Sequence, residues 1–296
     1  MTLEPSAPVD RSITFVDTHH HLWELGRLPY AWLTGEGDPD EAAVLGEYGM
    51  IRSDWGPDRL GREFHGQSVI KTVHVEAAMS GTDPVAETRW LADVQRTHGW
   101  PNGFVVYCDL RDPHAEAILD AHLEASELVR GVRMRATGDH TDASFERGFR
   151  AMSARGLSYD LDDASIGPDL AGRYPSTQIV LGHAGAPYRR DAETFEAWSE
   201  AIGRLARHEN VACKISGLGM GDHRWTTASI RPWVLRCIEA FGPERSMFGT
   251  NWPVDLLYAP YIEQVDAYRT ILAQEGFDTA VQHALLHGNA ERIYGI

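Results

Sequence analysis

Positive charge is in short supply in this 296-residue chain. Its 27 Lys and Arg stand against 43 Asp and Glu, a formal net charge of −16. That balance argues against a nucleic-acid backbone or an anionic membrane as partner, although a local Arg cluster can still receive a small anion. Cysteine is scarce too. Cys108, Cys213 and Cys237 are scattered in apolar contexts with no CxxC pair. This excludes a disulfide framework and suits buried free thiols in a reducing cytoplasm. No run of ~18 apolar residues occurs, so no membrane-spanning helix is expected. Residues 1–12 are polar and proline-bearing, without an apolar h-region, and read as a flexible tail and not a signal peptide. No repeat, linker or low-complexity segment divides the rest. Residues 13–296 are therefore expected to form a single cytoplasmic domain whose partner is a small molecule.

What the chain does have is a 43% hydrophobic content, enough to build a full core, and a regular alternation of short apolar runs with helical patterns. Strand-like runs fall at Phe15–His21, Thr72–Ala78, Phe104–Leu110, Val129–Met134, Leu157–Leu161, Gln178–Gly182, Val211–Ile215 and Ser246–Gly249. Asp83–Pro84 and Asp112–Pro113 read as an N-cap followed by proline at the first helical position. The last stretch, Thr279–Arg292, reads as one helix. Eight strand–helix units in strict alternation predict a parallel sheet closed into a (β/α)8 TIM barrel. Residues 24–66 interrupt the pattern as a long loop rich in Gly, Pro and Trp. Tyr30 and Trp32 within it are expected to form a lid or pocket wall over the first strand.

In such a barrel chemistry sits at the C-terminal ends of the strands. Polar residues gather there: Asp17, His19 and His21; His74 and Glu76; Arg133 and Arg135; Asp160; His183; Lys214 and Ser216; Asn251. Alternation along a strand puts Asp17, His19 and His21 on one face and His20 on the other. So many ionisable groups at one rim must either do chemistry or satisfy one another. His74 reads as a hydrogen-bonded core residue. His98, His114, His122, His208, His283 and His287 fall in or beside helices and are expected to be solvated or capping. Asp255 follows Pro253 and reads as a solvated loop residue.

These motifs together resemble the amidohydrolase superfamily. They are Asp-Thr-His-His-His-Leu-Trp at Asp17–Trp23, Val-His-Val-Glu-Ala at Val73–Ala77, Gly-Val-Arg-Met at Gly131–Met134 and Leu-Gly-His-Ala-Gly at Leu181–Gly185. Lys-Ile-Ser-Gly at Lys214–Gly217, Met-Phe-Gly-Thr-Asn-Trp-Pro-Val at Met247–Val254 and Gly-Asn-Ala at Gly288–Ala290 complete the set. More narrowly the chain resembles the amidohydrolase-related lactonases, a group that includes sugar lactonases and 2-pyrone-4,6-dicarboxylate lactonase. The resemblance implies a hydrolase that opens a lactone, a sugar lactone or a related carboxy-lactone, by water attack at the barrel rim. It makes His19, His21, His183, Asn251 and Glu76 the candidate catalytic residues. Arg133, Lys214, Tyr30, Trp32 and Asp160 are the candidate substrate contacts. Barrels of this kind often pair, so a homodimer is one expectation for the assembly.

Two positions depart from the family pattern. Asn251 stands where many members carry an aspartate that activates water, and a neutral amide can hold water but cannot take its proton. Glu76 or His183 then remains as base. The fifth strand offers Asp160 and no histidine, and Arg133 repels a cation. One divalent metal on His19, His21 and His183, zinc first, is one expectation, and metal-independent catalysis is the other. A metal-dependent decarboxylase of an aromatic or unsaturated acid is the alternative activity. A non-catalytic barrel that binds a sugar acid is the alternative of another class.

Overall fold

The computed structural model describes residues 9–135 and 140–296. Residues 1–8 of the expected N-terminal tail lie outside the described part. The eight expected strands are all present: β1 Phe15–His20, β2 Val69–Val75, β3 Gly103–Tyr107, β4 Val129–Arg133, β5 Ser158–Leu161, β6 Ile179–Leu181, β7 Val211–Ile215 and β8 Ser246–Phe248. Each pairs in parallel with the next, in the order β1 to β8. The ring closes beyond the strand ends, where His21 N–H donates to Trp252 O (2.7 Å) and Asn251 N–H donates to His19 O (2.7 Å). This is a TIM barrel.

Two apolar layers hold it. Inside the ring, Val16, Val73, Val75, Val105, Val180 and Met247 meet Ala290 and Tyr294 from the C-terminal helix. Branched side chains at alternate strand positions fill such an interior without voids. The larger layer lies between the strands and the outer helices, where Phe15, Phe104, Phe145, Phe149 and Phe241 are fully buried.

The helices are α1 Pro39–Leu45, α2 Pro57–Glu63, α3 Ala86–His98, α4 Ala115–Ala125, α5 Ala143–Ala154, α6 Gly167–Arg173, α7 Ala192–Leu205, α8 Thr227–Phe241, α9 Tyr261–Gln274, α10 Thr279–His283 and α11 Asn289–Tyr294. Four expectations need correction. Residues 24–66 are not a bare loop, because α1 and α2 lie within them. Asp38 accepts from Asp40 N–H and Pro39 opens α1, whereas at Asp83–Pro84 and Asp112–Pro113, where the same start signal was expected, the helices begin later, with Val85 and His114 at the N-cap. The expected single last helix is interrupted by a wide π turn at Ala284–Gly288. The described end of the tail is also pinned. Arg11 pairs with Asp266, and Arg269 donates to the Asp10 and Ile13 carbonyls. All three cysteines are free and buried. No helix among the described residues is long and apolar enough to cross a membrane.

Candidate active site

The local build of β1 decides where the histidines point. Asp17 is in register with Thr72 and His20 with His74, so β1 spends three residues where β2 spends two. The extra residue reverses the inward–outward alternation. Val16 therefore faces the barrel interior, Asp17 faces outward to α9, and His19 and His21 both turn to the centre. This corrects the expectation that Asp17 shares their face. Asp17 instead ties the ends of β1 and β8 together. It accepts from Thr250 N–H (3.0 Å), Thr250 O–H (2.7 Å), Tyr261 O–H (3.2 Å) and His19 N–H (3.3 Å). Burial raises its pKa to about 6 against those hydrogen bonds. Gly249 is required at this junction, since a Cβ there would lie 2.7 Å from that of His19.

Four polar side chains converge over the barrel. His19 Nε2 lies 3.3 Å from His21 Nε2, and His21 Nε2 lies 3.3 Å from Asn251 Oδ1. The rings of His19 and His183 have centroids 4.3 Å apart. His183 hydrogen-bonds Ser216 Oγ through Nδ1 at 3.0 Å. Its backbone is left-handed at φ +47°, and Ala184 and Ala186 are left-handed as well. Such strain persists where the surroundings over-determine a functional residue. Burial pushes the pKa of all three histidines well below the usual range, followed by neighbouring His183 for His19, and by Arg133 for His21 and His183. They are neutral imidazoles near pH 7.

Hydrogen bonds fix the polarity of this cluster. His21 Nδ1–H donates to Val75 O at 2.8 Å, which leaves the lone pair on Nε2. Asn251 spends its Nδ2 hydrogens on Asp255 Oδ1 (3.0 Å) and Met220 Sδ (3.8 Å). Its Oδ1 therefore meets the His21 lone pair, acceptor to acceptor. That arrangement fits a cation or a shared hydrogen between them.

Among the described residues no three His, Cys, Asp or Glu side chains are grouped as a metal-binding set. Beside the expected His19, His21 and His183 trio, the Asn251 amide oxygen stands 3.3 Å from His21 Nε2, while His183 turns its Nδ1 to Ser216. Two imidazoles and an amide oxygen fit a divalent cation in donor chemistry. His21 has the carbonyl backing usual for a ligand. His19 Nδ1 is buried with no partner.

The remaining candidates divide. A cavity of about 550 Å3 opens above the cluster, and His21, His183, Asn251, Arg133 and Trp32 line it. Glu76 does not face it. One Glu76 oxygen accepts from Arg133 Nε at 2.7 Å and the other from Ala78 N–H at 2.7 Å. Glu76 is the counter-ion of Arg133, not a free base. Lys214 and Asp160 are also corrected. They form a fully buried pair (Nζ to Oδ2, 2.7 Å) inside the barrel, and Tyr294 O–H sits 3.3 Å from both Asp160 oxygens. Tyr30 is fully buried and donates to Glu87 at 3.0 Å, away from the cavity. His74 is a core histidine as expected, accepting from Leu22 N–H at 3.0 Å. His122 is buried, not solvated, between Thr88 Oγ1 and Tyr107 O.

Four residues escaped the sequence reading as site residues. Asp162 lines the cavity, with an Oδ1 that is buried and has no partner. Tyr188 lines it from the loop after β6, and Glu41 on α1 pairs with Arg135 across it at 2.7 Å. Asp255 is buried behind Asn251, and burial raises its pKa to about 7 against the hydrogen bonds from Asn251 and Gly219. The residue-type run Asp162–Asp163 was visible in the sequence. The Asn251 to Asp255 spacing of one helical turn was visible too.

Comparisons with known proteins bear on this geometry. A family model described as Amidohydrolase matches residues 16–296. The uncharacterized protein y4mH of Sinorhizobium fredii is 36% identical over 96% of this chain and 99% of its own length. An L-fucono-1,5-lactonase of Burkholderia multivorans is 31% identical over 95% of this chain and 96% of its own. A crystal structure of an amidohydrolase from Burkholderia multivorans with bound zinc superimposes with a TM-score of 0.79. It is 26% identical and covers 96% of this chain and 99% of its own.

Proposed function

From the premise that this chain belongs to the amidohydrolase family and is a hydrolase, we propose that it opens a neutral sugar lactone by attack of water on the ring ester. The observation that carries this reading is the meeting of His21 Nε2 and Asn251 Oδ1, two fixed acceptors, beside the His183 ring at the floor of the cavity. Water that donates to this acceptor face is held at the cavity floor with its oxygen free to attack. His21 Nε2 takes the proton from the attacking water and returns it to the ring oxygen as the acyl C–O bond breaks, leaving a hydroxyl and a carboxylic acid that ionises to solvent. His183, braced by Ser216, sits where the carbonyl oxygen gathers charge. Arg133, held by Glu76, lines the cavity wall and orients polar groups of the substrate. A divalent ion held by His19, His21 and Asn251 would supply Lewis acidity in place of the His21 base, because ion and proton compete for the one Nε2 lone pair.

The cavity chemistry favours a polyol over a dicarboxylate. Arg133 is neutralised by Glu76 and Arg135 by Glu41, so neither cation is left for a second substrate carboxylate. Arg224 is exposed and outside the cavity lining. Asp162 offers an unpaired acceptor to a hydroxyl group, and Trp32 and Tyr188 offer apolar faces to a sugar ring. Trp23 is fully buried and takes no part.

The test is acid release from a panel of five- and six-membered sugar lactones, read with a pH indicator beside an enzyme-free control. Turnover above the spontaneous rate is expected for neutral lactones and not for pyrone dicarboxylates. Carbon dioxide release in place of ring opening would assign the protein to the decarboxylases. Ligand binding without turnover would make it a binding barrel.

A further inference from the structure

We propose that Asp255 is a positioning residue that locks the Asn251 amide with its oxygen toward the histidines, so that Asn251 acts as an acceptor. The inference rests on the hydrolase reading above. An amide is ambiguous, because either end can face a neighbour. Here the surroundings remove the ambiguity. Asp255 lies in the turn Val254–Leu257, four residues beyond Asn251, and is buried. Its Oδ1 accepts from Asn251 Nδ2, and its Oδ2 accepts from Gly219 N–H at 3.3 Å. Gly219 cannot bear a side chain, since a Cβ would lie 2.4 Å from the Tyr258 ring and 3.3 Å from Asp255 Oδ2. The second Nδ2 hydrogen is directed at Met220 Sδ. Both amide hydrogens are thus held on one side, and Oδ1 is left for the cavity. Asn251 itself sits at φ +55°, a left-handed conformation that asparagine tolerates better than most residues. Asp255 does not line the cavity, so it acts through Asn251.

The pair predicts its own reversal. In Asp255→Asn, the Gly219 N–H claims the new amide oxygen. The new NH2 group then faces Asn251 and turns its amide over, presenting NH2 to His21. The acceptor is lost. Adding Asn251→Asp in that background restores it, because a carboxylate accepts from the NH2 behind it and still presents an oxygen to His21. Asp255→Asn is expected to lower kcat on a lactone substrate at least tenfold with KM changed less than threefold. The double variant Asn251→Asp/Asp255→Asn is expected to return kcat to within threefold of the native enzyme. Unchanged kcat in Asp255→Asn, or a folded double variant no better than the single one, would overturn the proposal. A second measurement uses the native protein and needs no turnover. The side-chain amide resonances of Asn251, assigned by their loss in Asn251→Asp, are expected to exchange slowly with water and to lie away from free-amide positions. Fast exchange at free-amide positions removes the proposed lock. If no lactone is turned over but the amide is protected, the substrate reading has failed and the lock stands.

Discussion

Glu76 is sealed beneath Arg133. The carboxylate lies 2.7 Å from Nε, and both side chains are buried. The pair places a guanidinium at the cavity wall while keeping its net charge near zero. A buried pair of this kind is costly to break and cheap to remove whole.

Arg133→Met is expected to destabilise the fold by about 3–5 kcal/mol, because it strands a buried carboxylate. The double variant Arg133→Met/Glu76→Gln is expected to recover most of that loss and none of the lactone turnover. Urea denaturation and initial rates on the same preparations separate the two effects. Equal turnover in the double variant and the native protein would remove Arg133 from the reaction.

His183→Asn keeps a residue that accepts the left-handed backbone at this position. It is expected to lower kcat by about 10²–10³, the usual scale for loss of one group that meets developing charge. Thermal stability should change little. Near-native turnover would leave the site reading without its centre.

Tyr30 and Trp32 were grouped together by sequence and separate in space. Tyr30→Phe removes a hydroxyl bonded to Glu87. It should cost about 1 kcal/mol of stability and leave kcat and KM within twofold. Trp32→Ala strips a cavity wall and should raise KM severalfold with kcat less affected. The reverse pattern, with Tyr30→Phe the slower enzyme, would contradict the placement of both rings.

Glu87 gives the stability a pH dependence of definite sign. Burial, with Glu76 nearby, raises its pKa from 4.5 to about 8. Between those values the folded chain holds a proton that the unfolded chain has released. Its contribution is therefore complete below about pH 4.5 and lost as pH rises toward 8. Glu87→Gln can still accept from Tyr30 and Ala77 and removes this titration. The variant should show a shallower fall in denaturation midpoint from pH 5 to 8.5. An identical slope in both proteins would mean that Glu87 is ionised in the folded state.

The sequence by itself determined the barrel, because eight apolar runs alternate with amphipathic helices and that period admits few arrangements. It also determined which strand tips carry chemistry. His19, His21, His183 and Asn251 stand at the ends of three separate strands, and those ends meet in any closed parallel ring. It could not decide orientation. One extra residue in β1 reversed the side-chain alternation, sending Asp17 outward and both histidines inward. Nor could it decide pairing. Glu76, Lys214 and Asp160 are charged residues at strand tips, and only their neighbours in space make them counter-ions instead of site groups. Asp255 is the opposite case. Beyond a proline it reads as a solvated loop residue, and the turn after β8 folds it back against Gly219 and under Asn251. Strand period and residue type are local properties, carried by a few adjacent positions. Whether a charge is paired, and which end of an amide faces a site, depends on groups brought together from distant parts of the chain. Those were decided only when the ring closed.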